Sequence, residues 1–339
     1  MNRPDEYEAA QRWLTTCRRP LVVTHRRPDG DELGAVAGLT LALHALGIDA
    51  TAALFEPFPQ RYALLHDLVS WHDWPTERAA LTRDCDALIV LDTCSVQQLE
   101  PVADWLPQAP RMLVIDHHPT RDALGTRPGD LRLLDESAGA VCLLVAELLK
   151  TAGMAWTPAL ATALLVGLGT DTGWFRFPNT DARLLHAAAE LTEAGAAVNL
   201  VFRAIYEQDA PARLRLTGRM LQTLELHADG QLAVLKLRRA DFAAAGADRT
   251  MTEDLVNEAG RLAGIEATIL FTEEADQVRV NFRSKERLDV AKLAAQFGGG
   301  GHTRAAGARL ASPWDQAVTA VLAAALAALS PRGVSGAIC

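Results

Sequence analysis

The sequence predicts an α/β protein: an N-terminal parallel sheet with helices on both faces, a helical connector, and a smaller C-terminal α/β domain. Three observations carry this reading. Short apolar runs recur in the N-terminal half, each stopping at an acid or a histidine and each followed by helical sequence. From Asp181 to Gln222 the chain is Ala/Leu/Arg-rich and helical, and alternating apolar segments return only after it. The 339 residues suffice for about two domains of the common ~150 residues.

The chain opens with an amphipathic helix ending near Cys17, and Leu21-Val22-Val23 then makes a strand that stops at Thr24-His25. A polar loop, Arg26-Arg27-Pro28-Asp29-Gly30-Asp31, leads into a helix from about Leu33 to Leu46. The same grammar recurs at Ala87 to Leu91, which stops at Asp92, and at Met112 to Ile115, which stops at Asp116. Buried parallel strands read as continuous apolar runs, and ligands of such sheets sit at the carboxyl ends of the strands. An apolar segment, Leu160 to Gly169, delivers Asp171 into a Gly/Thr-rich loop. Gln208-Asp209-Ala210-Pro211 breaks the helical stretch, and Leu232 to Leu237, Ala267 to Thr272 and Val278 to Phe282 are strands of the second domain. An Ala-rich helix closes that domain ahead of a Gly/Ser tail. The expected boundaries are 1–185 for the catalytic domain, 186–222 for the connector, 223–330 for the substrate-binding domain and 331–339 for the tail.

Composition excludes several classes. A hydrophobic share of 49% and a charged share of 22% belong to a globular chain, not to a disordered or collagen-like one. Lys and Arg number 33 against 42 Asp and Glu, and the net charge of -9 argues against coating long nucleic acid. Any polyanion it handles should be short or gripped locally. Cys17, Cys85, Cys94, Cys142 and Cys339 show no C-x-x-C spacing, so neither a zinc knuckle nor a disulfide framework is indicated and a cytoplasmic location is expected. Early charges and short apolar runs make neither a signal peptide nor a membrane span the expectation.

The strand ends carry the chemistry. His25, Asp29 and Asp31 can converge on one ion or two adjacent ions where the chain turns through Pro28 and Gly30, although Pro-Asp-Gly-Asp is also a common turn. Asp92 alone would read as a helix cap, but Asp116-His117-His118 at a strand terminus has few structural reasons to exist. His25, Asp29, Asp31, Asp92, His117 and Asp171 together supply two imidazoles and four carboxylates. That set is enough for two hard divalent ions about 3.5–4 Å apart with one acid between them. Sulfur is absent from it, so manganese or magnesium is favoured over zinc. In the C-terminal half, Gly298 to Gly301 precede His302 and Arg304, and four glycines ahead of a helix would turn backbone N–H groups toward an anion. Arg283, at the end of a strand with Ser284 and Lys285, suits bidentate phosphate contact.

These motifs resemble those of the DHH phosphoesterase superfamily with its DHH-associated C-terminal domain. Residues 7 to 330 are similar to its bacterial nanoRNase group, described as oligoribonuclease and pAp phosphatase. His25-Arg-Arg-Pro-Asp29-Gly-Asp31, Leu91-Asp92-Thr93, Asp116-His117-His118 and the Thr170-Asp171 segment stand in family order, and Gly298 to Gly307 matches the glycine-rich signature. The resemblance implies that His25, Asp29, Asp31, Asp92, His117 and Asp171 hold two manganese ions, with Asp92 bridging and magnesium as the alternative. It places His118, Arg283, Ser284 and His302 where they contact substrate phosphate or assist the reaction, beside Gly299, Gly300, Gly301 and Arg304. Asp116 would support the histidine pair, making Asp92, Asp116 and His118 the catalytic set. Ala35, and Gly139 with Ala140, depart from the Ser or Thr common at those places.

The implied reaction is two-metal hydrolysis, in which an activated water attacks phosphorus in line and a 3′-oxygen leaves. Expected substrates are short RNA or dinucleotides, cut to mononucleotides, and pAp, which loses its 3′-phosphate. Neither a membrane nor long nucleic acid is an expected partner, and a homodimer stays open. The rival enzyme reading is a cyclic-dinucleotide or pApA phosphodiesterase. From another class, a catalytically silent nucleotide-sensing module would be marked by loss of a ligand, and all six are present.

Overall fold

The computed structural model describes residues 4–311 and 313–329, so the tail expected over 331–339 lies outside the described residues. The chain divides into two compact units, one ending at Gln208 and one beginning at Asp209. Among the described residues, no helix is long and apolar enough to cross a membrane.

In chain order the first unit contains α1 (Pro4–Thr15), β1 (Pro20–Val23), α2 (Gly30–Ala45), β2 (Thr51–Leu54), α3 (Ala63–His66), β3 (Trp71–Asp73) and α4 (Trp74–Arg83). It continues through β4 (Ala87–Leu91), β5 (Arg111–Asp116), β6 (Leu131–Leu134), α5 (Val141–Thr151), α6 (Pro158–Asp171), α7 (Ala182–Glu193) and α8 (Val198–Tyr206). The six strands are parallel, in the order β3-β2-β1-β4-β5-β6. Period-two alternation splits their side chains between two cores. Val22, Ile89, Leu91 and Leu113 pack with Leu33, Leu144 and Leu165 on one face. Leu21, Val23, Leu88, Val90 and Val114 pack with Trp74, Leu99 and Trp105 on the other. Burial on both faces is why these strands are apolar without a polar alternation. The strand order reverses between β1 and β4, and the carboxyl ends of β1, β4 and β5 therefore border the crevice where such sheets bind ligands.

Helix α2 starts at Gly30 rather than at the expected Leu33, because Asp29 caps it. Its carboxylate accepts the Asp31 N–H at 2.8 Å, and the Glu32 carboxylate returns to the Asp29 N–H at 2.8 Å. Asp31 is thus helical. Asp171 likewise ends α6 instead of standing in a loop. That helix stops only where Gly173, Trp174 and Phe175 take left-handed φ values of 56°, 59° and 62°.

Helices α2 and α6 touch through small residues, and Gly34 is where the approach is tightest. A Cβ there would lie 2.3 Å from the Ala163 carbonyl oxygen, which is backbone and cannot swing away. Gly34→Ala is expected to destabilise the first unit by about 2 kcal/mol, overpacking outweighing the better helix propensity of Ala. Gly218→Ala, where a Cβ meets nothing within 4 Å, is expected to stabilise its helix by about 0.5–1 kcal/mol. Denaturant unfolding of the two variants checks the opposite signs, and a Gly34→Ala chain as stable as wild type would show that α2 and α6 can move apart freely.

The second unit contains α9 (Pro211–Gln222), β7 (Glu225–His227), β8 (Leu232–Leu237), α10 (Arg239–Ala245), β9 (Ala267–Glu273) and β10 (Val278–Ser284). After these come α11 (Val290–Ala295), β11 (Gly300–His302), β12 (Ala305–Leu310) and α12 (Trp314–Leu329). Its sheet runs β11-β12-β10-β9-β8-β7, with β8 and β9 parallel and the other pairs antiparallel. Here the expected helix after the glycine run is absent. The Gly299 N–H donates to the Ala294 carbonyl at 2.9 Å, closing α11, and Gly300 to His302 pair with Gly307 to Ala305 as a hairpin. The glycines therefore end one helix and begin an edge strand, and they do not form a helix N-terminal anion loop.

Candidate metal centre

Five of the six expected ligands meet at the carboxyl edge of the parallel sheet. His25 follows β1, Asp92 follows β4, His117 and His118 follow β5, Asp31 projects from the first turn of α2, and Asp171 stands at the last turn of α6. Ligand atoms within 4.8 Å of one another form three sets: His25, Glu32 and Asp92; Asp31, His117 and Asp171; and Asp92, His117 and His118. Asp92 joins two of the three, as a shared acid should. Asp29 joins none of them; its side chain caps α2 at the exposed mouth of the site.

Neighbouring backbone orients both histidines. The Nδ1 of His25 lies 2.7 Å from the Arg26 carbonyl, and the Nδ1 of His117 lies 2.8 Å from the Ala138 carbonyl. A carbonyl only accepts, so each Nδ1 carries the proton and each Nε2 is left toward the acids. The Nε2 of His117 stands 3.2 Å from Asp92 Oδ1 and 3.6 Å from Asp171. The Nε2 of His25 stands 3.7 Å from Asp92 Oδ2 and 2.5 Å from Glu32. Asp92 is 3% exposed, and its Oδ1 is buried without a hydrogen-bond partner. Lone pairs and carboxylate oxygens facing one another at these distances repel unless a cation stands between them. The donor set fits divalent ions with N and O ligands and lacks sulfur.

Electrostatics say the same. Burial alone would lower the pKa of His25, yet Asp92 and Glu32 raise it to about 11. His117 is raised to about 10 against burial, by Asp92 and then by Asp31 and Asp171. Burial pushes Asp171 up to about 7, with Asp29 and Asp92 adding to it against the pull of His117. Burial also pushes Asp31 well up, with Asp171 and Asp92 adding to it. Burial opposes ionisation of Asp92 too, but His117 and His25 outweigh it and hold that carboxyl well below the usual range. The metal-free site retains protons on its imidazoles because its acids need positive charge.

Asp31 has a second task. Its Oδ2 accepts the Val141 N–H at 2.6 Å and its Oδ1 the Cys142 N–H at 3.0 Å. It thereby caps α5, whose own cap position is Ala140 and has no side-chain hydrogen bond. The absent Ser or Thr at that place is compensated by an acid from α2, favourably placed at a helix N-terminus. Asp92 is held at φ 62°, an uncommon conformation for a non-glycine residue, while its N–H donates to the Ile115 carbonyl at 2.9 Å. His118 donates through Nδ1 to Asp116 at 3.0 Å and is 44% exposed in its side chain, so its Nε2 is left for an incoming group.

In the second unit, Arg283 donates through Nε to Asn257 at 3.1 Å and is half-buried, and burial pulls its pKa down. The Ser284 hydroxyl donates to the Leu288 carbonyl at 2.6 Å, which commits its proton to the loop. Exposed His302 and Arg304 line a groove of about 630 Å³ with Lys292 and Asp289. Sequence reasoning missed Glu32, which is 4% exposed and faces His25. The Asp29-x-x-Glu32 capping-box spacing was the available signal.

A parallel sheet that gathers acids and imidazoles at a topological switch point makes a centre suited to divalent ions, of the kind that serves phosphoester hydrolysis. Residues 19–168 match the DHH family, N-terminal domain, and residues 229–330 match the DHHA1 domain. The chain belongs to the DHH family. The bifunctional oligoribonuclease and PAP phosphatase NrnA of Thermus thermophilus is 32% identical over 320 residues, covering 92% of this chain and 90% of that one. The protein of the same name from Bacillus subtilis is 32% identical over 302 residues, covering 87% and 91%. An exopolyphosphatase-related protein from Bacteroides fragilis shares the fold, with a TM-score of 0.86 at 20% identity and coverage of 94% and 95%.

Proposed function

We propose that this chain hydrolyses short RNA to mononucleotides and removes the 3′-phosphate of pAp, using two divalent ions, manganese by preference. The observation that carries the reading is the convergence of two backbone-oriented Nε2 atoms on the two oxygens of buried Asp92, His117 on Oδ1 and His25 on Oδ2, beside Asp31 and Asp171. His25, Asp31, Asp92, His117 and Asp171 would hold the ions, with Asp29 able to join only through Oδ2, the carboxylate oxygen that its cap leaves over. Bound there, the ions would lower the pKa of water and neutralise charge at phosphorus.

The remaining roles fall to side chains. His118, aimed by Asp116, would hold a proton at Nε2 for the departing 3′-oxygen. Arg283, His302 and Arg304 would bind phosphate beside the hairpin of Gly299, Gly300 and Gly301, with Ser284 keeping the loop beside Arg283 in place. The two relatives named for oligoribonuclease and PAP phosphatase activity support this pair of substrates.

The test is an assay of chelated protein supplied with manganese, magnesium, calcium or zinc and given pAp, RNA of two to five nucleotides, or a cyclic dinucleotide. Manganese should restore the most activity, with AMP and phosphate appearing from pAp and mononucleotides from RNA. Restoration by zinc alone would overturn the hard-ion argument. A faster rate on the cyclic dinucleotide than on either linear substrate would favour the cyclic-dinucleotide phosphodiesterase, and no turnover of any would favour a nucleotide sensor.

A further inference from the structure

Glu32 sits in the first turn of α2, buried, with its two oxygens facing different ways. Oε2 accepts the Asp29 N–H at 2.8 Å and completes the capping box. Oε1 is not needed for the cap and stands 2.5 Å from His25 Nε2. The same Nε2 lies 3.7 Å from Asp92 Oδ2, so three donor atoms from β1, α2 and β4 converge on one point. Perpendicular ligands at ~2.1 Å from an octahedral ion are about 3 Å apart, and these separations bracket that value. The cluster is more than a group of acids, because the other oxygen of its central member, Asp92 Oδ1, is nine-tenths buried and has no hydrogen-bond partner. Asp29 meanwhile directs a carboxylate oxygen to the Asp31 N–H and stands outside the converging set.

We infer that Glu32 is an additional ligand of the ion held by His25 and Asp92. The inference rests on the two-ion reading of the site. Glu32 joins that ion through Oε1 while Oε2 continues to cap α2, so one side chain couples helix entry to metal loading. Glu32 is not part of the set of Asp31, His117 and Asp171, so an ion held there would depend on it only through Asp92, which His117 faces.

Glu32→Gln separates the two tasks, because an amide oxygen still accepts the Asp29 N–H but is a far weaker metal ligand. Calorimetric titration of the metal-free full chain with manganese, with bound ions counted by electron paramagnetic resonance, reads the result. Wild type should take up two ions. Glu32→Gln should bind one with unchanged affinity and the other about 10–100-fold more weakly, with the metal-free chain still folded by circular dichroism. Binding of both ions within twofold of wild type would overturn the inference. Equal weakening of both would overturn it too, since Glu32 would then support the site as a whole. If the amide variant does not fold, Glu32→Asp, whose carboxylate is one methylene short, must show the same one-ion loss. A wild-type chain that binds no manganese would remove the two-ion reading itself, an outcome distinct from an unaltered Glu32→Gln.

Discussion

Asp92→Asn is expected to lower turnover of short RNA by at least about a thousandfold, roughly 4 kcal/mol of transition-state stabilisation, without unfolding the chain. Asp92 is the acid that both ligand sets around His25 and His117 share. An amide there is neutral and a far weaker metal ligand, so the negative charge that both positions share is removed. The metal-free protein should still fold, while ion uptake collapses at both positions. Circular dichroism and manganese titration separate these effects from misfolding. Retention of more than about a tenth of the wild-type rate, a loss under ~1.4 kcal/mol, would show that Asp92 does not serve both ions.

How legible the site was in the sequence depends on whether the determinant is local. Ala87 to Leu91 is buried at each position, so it had to read as an unbroken apolar run, and the polar residue that ends it had to stand at the sheet edge. His25, Asp92, Asp116 and His117 were all found this way. The same reasoning misread Asp31 and Asp171, because turn-forming neighbours such as Pro28, Gly30 and Gly173 suggested loops where helix ends stand. No local signal reports that Asp31 caps α5, since the contact joins residues more than a hundred positions apart. Ala305 to Leu310, rich in Ala and with a Gly, has weak strand propensity, and only its pairing with β10 makes it a strand. That pairing is what turns the glycine run into a hairpin edge. Glu32 was overlooked because Pro-Asp-Gly-Asp drew attention to the turn and away from the Asp-x-x-Glu spacing that overlaps it.

RNA of two to five nucleotides is expected to be degraded at least about ten times faster than RNA of twenty, because each added phosphate meets a repulsive overall charge. The chain carries a net charge of -9, and the groups it offers to phosphate at the glycine hairpin are few: the cations Lys292 and Arg304 and the imidazole of His302, with Asp289 opposing them. Arg283 adds one more cation on the neighbouring strand, and its guanidinium already donates to Asn257 and to the Phe282 carbonyl. A grip of two or three phosphates predicts a slope of log affinity against log salt of about -2, since single strands release ~0.7 counterion per contact. A long track would give a much steeper slope. Initial rates against chain length, at one sub-saturating concentration and two salt levels, decide between them. Rates that rise steadily with length would show that this chain holds extended RNA in spite of its charge, and the short-substrate reading would then be lost even if the metal centre behaves as expected.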